Sequence, residues 1–163
     1  MAFTPKQYYF KDVYPEIISE CMELLAQNKT VVLFTMGVEA KVVYKYFVSQ
    51  YLNIEFERLY KDLKNEDLYR ALQFIINLNT VYKDKLFIFD EKCYSVDQIK
   101  NILKSLSMNN IKPDLVVFDE LLYIDFFGKT QVLFDKLDTL QNEFKTKFIG
   151  YQILMLWDCA LSM

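Results

Sequence analysis

Three runs of four apolar residues, Val31 to Phe34, Leu86 to Phe89 and Leu115 to Phe118, constrain this chain more than any other feature. They lack the polar alternation of a half-exposed strand, so each reads as a strand buried on both faces. A further strand is expected from Lys147 to Leu154, and a short first one from Gln7 to Phe10. The stretches between the runs are long enough for helices, and strands joined through helices of about ten or more residues need crossover connections. The expected fold is therefore α/β, with a mostly parallel sheet of about five strands covered on both faces in three layers.

The intervening segments carry helical spacing. Pro15 suits an early helical position, and Ile17, Ile18, Cys21, Met22, Leu24 and Leu25 then repeat to about Gln27. A second helix is expected from Val38 to Tyr51. A third should run from an Asn65 N-cap, with Leu68, Ala71, Leu72, Ile75 and Ile76 on its apolar side. Ser95-Val96-Asp97-Gln98 has the form of a capping box opening a fourth, and Leu133, Leu137 and Leu140 mark a fifth from Thr130 to Phe144. With no linker, repeat or low-complexity stretch, residues 1–163 are read as one domain.

Composition removes several functions. The chain has no histidine, which excludes Ser-His and Cys-His catalysis and most zinc sites. A formal net charge of -3 leaves no overall basic footprint for nucleic acid. Cys21, Cys93 and Cys159, each in or beside an apolar run, are expected to be buried reduced thiols. No apolar run reaches the roughly 18 residues of a membrane span, and the amino terminus does not resemble a signal peptide, so a cytoplasmic location is expected. Arginine is nearly absent, only Arg58 and Arg70, while Lys, Asn, Ile, Tyr and Phe abound. That usage is the mark of an AT-rich coding source.

Two of the buried runs end in acid, Asp90-Glu91 and Asp119-Glu120. Carboxylates at the carboxyl ends of parallel strands lie where α/β sheets place their chemistry. In a nucleotide hydrolase such an Asp holds Mg²⁺ against phosphates cradled by a G-x-x-x-x-G-K-[ST] loop. That loop is missing. The only glycines are Gly37, Gly128 and Gly150, and none stands in the required frame. Each acid thus has a chemical reading, as a metal ligand, and a structural one. Asp119 would bond local backbone and hydroxyl groups, Asp90 would cap a helix, and Gln152 would be a polar group at the sheet edge.

In order, these motifs resemble the RecA-like ATPase domain of DnaB-type replicative helicases. Phe34-Thr35-Met36-Gly37-Val38 stands for the family's strand ending in S-L-E-M, and Leu86 to Asp90 for its strand ending in Asp-Asp. Ser95 to Ile99 matches the capped T-x-x-[EQ]-I helix start. Leu115 to Ile124 matches the acidic strand L-V-[VI]-I-D-Y-L-Q-L-I, and Ile149 to Ile153 the strand ending in S-Q-L. The similarity covers about residues 30 to 154. It implies a RecA-like fold in which Asp119 and Glu120 are a vestigial Walker-B-like pair and Gln152 occupies the γ-phosphate-sensing position.

Departures from the family pattern carry equal weight. Lys11-Asp12-Val13-Tyr14 joins the first strand to its helix and is too short and bulky to wrap a triphosphate. The family's catalytic Glu falls on Gly37, with Glu39 two residues on. The loop after the acidic strand is shortened to Asp125 to Lys129, and the family's later strands and arginine finger are expected to be absent. Together the resemblance and its gaps imply a pseudo-ATPase with no cofactor and no metal. It is expected to bind a protein partner, a replicative helicase or itself, as an accessory in DNA replication or recombination, with a phage or other mobile element as its expected source. Tyr8, Tyr9, Phe126, Phe127 and Trp157 are the candidate interface residues. Two other readings stand beside it: a Mg²⁺-dependent NTPase or nuclease using Asp119, Glu120, Asp90 and Glu39, and a single-strand binder stacking bases on Tyr8, Tyr9, Phe10, Tyr14 or Phe126.

Overall fold

The computed structural model describes residues 3–8, 13–59, 63–125 and 130–153. Five strands form one parallel sheet: β1 (Lys6–Tyr8), β2 (Val31–Phe34), β3 (Leu86–Phe89), β5 (Leu115–Phe118) and β7 (Lys147–Ile153), in the spatial order β1-β7-β5-β2-β3. The central strands β2 and β5 are buried at every position, whereas edge strand β3 is half-buried throughout. Two two-residue strands, β4 (Tyr94–Ser95) and β6 (Ile124–Asp125), pair in parallel beside this sheet. They are too short to leave a periodic signal in the sequence.

Helices α1 (Tyr14–Ala26), α2 (Ala40–Leu52) and α3 (Asn65–Thr80) pack on one face, against Val31, Leu33, Leu115, Val117, Ile149 and Tyr151. Helices α4 (Val96–Met108) and α5 (Thr130–Phe144) cover the other, against Val32, Phe34, Val116, Phe118 and Phe148. Alternate residues of each strand thus feed opposite cores, as the period of two requires. Among the described residues no helix is long and apolar enough to cross a membrane.

Local chemistry explains most boundaries. Pro15 sits in the first turn of α1. Ser95 and Gln98 close the capping box at α4, each side chain accepting from the other's backbone N–H at 3.2 and 2.7 Å. Several helices stop without glycine. Asn28, Asn53 and Asn110, just past α1, α2 and α4, adopt φ near +60°, and Lys145 after α5 has φ 51°. Asparagine tolerates this left-handed geometry better than most residues do.

Three expectations need correction. Asn65 is not an N-cap but the first residue of α3, after an extended Lys64 that makes no side-chain cap bond. Cys93 is exposed, because it lies in the link from β3 to β4 rather than in a strand, while Cys21 is buried. On α3 the buried residues are Ala71, Phe74 and Leu78, whereas Leu68, Leu72 and Ile76 are about half exposed. The helix is rotated so that only the margin of its apolar arc meets the core.

Candidate functional site

The parallel register sets the site. Phe34 aligns with Phe89 on one side and Phe118 on the other, so three phenylalanines end three adjacent strands in a row. Their rings stack, at centroid distances of 5.4 and 5.3 Å. One residue further on the side chains turn to the opposite face, where α1 and α2 lie. That step brings Asp119 toward Tyr14 at the start of α1, and Asp90 toward Ala40 at the start of α2.

Asp119 is 3% exposed. Its Oδ1 accepts the Met36 N–H at 2.7 Å. Its Oδ2 accepts the Gly37 N–H at 3.0 Å and the Tyr14 hydroxyl at 2.6 Å. The phenol is fixed in turn, its ring stacked on Tyr46 at 4.8 Å and Tyr46 stacked on Phe56 at 4.1 Å. Burial pushes the Asp119 carboxyl above its ordinary value, against the opposing pull of the Met36, Tyr14 and Gly37 donors. A Cβ placed on Gly37 would meet Oδ2 at 3.4 Å. A glutamate there would therefore start its side chain against a buried carboxylate.

Glu120 is also buried, at 4% exposure, and its carboxylate accepts the Leu122 N–H at 3.1 Å, capping a single 3-10 turn over Leu121–Tyr123. Gly150 makes room for that turn, since a Cβ on it would fall 2.6 Å from Leu121 Cδ2. Asp90 remains exposed and accepts the Ala40 N–H at 2.8 Å, satisfying one of the orphan donors of α2. Gln152 is half-buried at the carboxyl edge and lines a small cavity of about 110 Å³ with Leu121, Leu122 and Thr130. Glu39, at the N-cap position of α2, is solvent-facing and pairs with Lys41 at 2.6 Å.

The strand-end acids thus share an edge but not a task. Among the described residues no group of three acids or cysteines can hold a metal ion. Tyr14, read from sequence with an aromatic cluster that could stack bases, is instead 6% exposed and committed to Asp119. Nothing in the local sequence pairs these two, which lie 105 residues apart. The backbone of Tyr8 ends β1, while Tyr9, Phe126, Phe127, Trp157 and Cys159 fall outside the described residues.

Solved structures share this architecture. A DnaB-like replicative helicase, studied for its interactions with primase, superposes with a TM-score of 0.78 at 15% identity, covering 95% of this chain and 39% of the helicase chain. A second solved ATPase domain gives 0.76 at 14%, covering 96% of this chain and 58% of its own. The fold is that of a DnaB-type helicase ATPase domain. No family model and no curated protein matches the sequence. Among the described residues β1 ends at Tyr8 and α1 begins at Tyr14.

Proposed function

We propose that this chain is a DnaB-like domain without ATPase activity, acting through protein contacts as an accessory or regulator in DNA replication or recombination. The observation that carries the reading is the state of Asp119. In a nucleotide hydrolase this carboxylate faces a metal-bound water and a triphosphate. Here both of its oxygens are occupied by protein donors, and the group is sealed beneath Tyr14. For Asp119 to meet Mg²⁺, the Tyr14 hydroxyl would have to leave and the cation would have to enter a buried site. No glycine precedes Gly37, so no backbone stretch ahead of α1 has the freedom a phosphate cradle needs.

Function then passes to surfaces, and the partner this reading favours is a replicative helicase, because that is the kind of protein the frame resembles. Isothermal titration of the chain with Mg²⁺-ATP, and with Mg²⁺ alone, is expected to give no heat above dilution. Saturable binding of either would overturn the reading, and the Asp119→Ala variant would then tell whether the strand-end carboxylate is the ligand. Capture from the native host is expected to recover the replicative helicase. Its consistent absence would sink the pathway assignment while leaving the missing activity untouched.

A further inference from the structure

The two ends of the parallel sheet carry opposite charge. The segments that lead into β2, β3 and β5 and open β7, residues 28–30, 81–85, 109–114 and 145–147, hold six lysines and two aspartates. The segments that follow β2, β3 and β5, residues 35–39, 90–93 and 119–123, hold five acids and one lysine. At the amino edge Lys29, Lys83, Lys112, Lys145 and Lys147 are exposed and Lys85 is half-buried. The register sets Leu86, Val31, Leu115 and Lys147 side by side. At a strand spacing of about 4.8 Å, the lysines flanking these four positions spread across about 14 Å. The sequence scatters them from position 29 to position 147, and only the parallel crossovers gather them.

Several acids near this edge are already committed to neighbours. Asp114 accepts the Thr30 N–H at 2.8 Å and the Lys29 ammonium at 3.2 Å, bracing the approaches to β2 and β5. Burial pushes its carboxyl up, yet the Thr30 amide and the charges of Lys29 and Lys85 hold it below its ordinary value. Glu20, on α1, pairs with Lys147 at 3.1 Å, and Glu143, at the end of α5, turns to Lys100 at 2.7 Å. Lys83, Lys85, Lys112 and Lys145 make no ion pair with any described residue. Asn28, Asn109 and Asn110 stand exposed beside them. Among the described residues of this edge no aromatic ring is exposed, since Tyr82 packs against the core beneath α1, α2 and α3.

We propose that this amino edge binds the phosphate backbone of double-stranded nucleic acid without reading its sequence. Each strand of a duplex presents a phosphate about every 3.4 Å, so a row of about 14 Å meets about four of them. Lysine supplies point charge and asparagine supplies amide donors, a combination that positions a backbone without specifying bases. The lack of an exposed ring removes the stacking on which single-strand sites depend, which favours the duplex. The acids at the carboxyl edge repel a polyanion there and turn the lysine row toward it. A chain of negative total charge thus gains by folding the basic surface that its composition lacks. The inference goes beyond the proposed function, which rests on Asp119 at the opposite edge, and either can fail alone.

Fluorescence anisotropy of a labelled duplex of about 20 base pairs, titrated with the full chain, tests it. Saturable binding is expected at about 50 mM salt, and log K should fall with log salt by about 0.9 per phosphate engaged, roughly 3 to 4 in all. Lys83→Gln combined with Lys112→Gln should lower affinity at least about tenfold and reduce that slope by about two. Lys41→Gln combined with Lys92→Gln removes the same charge at the opposite edge and should leave the slope unchanged. All four side chains are exposed, so far-UV circular dichroism should match wild type in both variants. Binding of a DNA duplex, of an RNA duplex of the same sequence, or of both supports the proposal and names the source of the phosphates. No binding, or an equal loss from both pairs of substitutions, would overturn it. So would tighter binding of a single strand of the same length, or competition by polyglutamate as effective as that by the duplex.

Discussion

Asp90 and Asp119 stand at the ends of near-identical sequences, Leu-Phe-Ile-Phe-Asp-Glu and Leu-Val-Val-Phe-Asp-Glu, yet meet opposite fates. The difference lies in where each strand sits. Strand β3 is at the sheet edge with half-buried residues, so its terminal acid reaches solvent and caps α2 with one bond. Strand β5 is flanked by β2 and β7 and wholly buried, so its acid is sealed among three donors. Burial raises the stakes of every bond around Asp119, because a donor left unpaired there cannot turn to water. The same motif can be a cap or a keystone, depending on sheet position.

Single substitutions can take that contrast apart. Asp119→Ala strands the Met36 and Gly37 amides and the Tyr14 hydroxyl, and is expected to lower stability by about 3 kcal/mol or more. In urea unfolding this appears as a lower midpoint with an unchanged slope. A loss as small as that of Asp90→Ala would erase the distinction. Tyr14→Phe keeps the ring stack but removes one donor to a buried carboxylate, with an expected loss of about 1.5 kcal/mol.

Asp119 should also make stability depend on pH. Its carboxyl is held above its ordinary 3.8, so the native state keeps this proton over a range where the unfolded chain has lost it. Its contribution to stability therefore falls as pH rises from about 3.8 through the folded value, by at most about 1.4 kcal/mol per pH unit. Thermal melts of Asp119→Asn across that window should lack this slope, and a slope identical to wild type would refute the assignment. The smallest effect is expected for Asp90→Ala, about 1 kcal/mol for a lost helix-end bond, read in the same urea series.

Much of the frame was legible because burial writes itself into composition. β2 and β5 lie where their unbroken apolar runs placed them, and α5 spans Thr130–Phe144 as its leucine spacing implied. The capping box at Ser95 needed only four residues to be read. What stayed hidden was tertiary. Periodicity finds the apolar side of α3 but does not tell how much of it the core takes, so the exposure of Leu72 is not written in its spacing. The Tyr14 to Asp119 bond joins segments far apart in the chain, and its only advance sign was negative: a carboxylate with no phosphate loop to serve. The pair β4 and β6 was too brief for any pattern.

The left-handed asparagines after α1, α2 and α4 carry a last consequence, for the economy of the gene. Glycine codons begin with two guanines, while asparagine is written with two adenines. A coding sequence drifting toward A and T can surrender glycine where a helix merely stops, because asparagine accepts the same turn. It cannot do so at Gly150, where any side chain would strike Leu121. Space thus demands a glycine at position 150, whereas the turns after α1, α2 and α4 need only a backbone that tolerates positive φ.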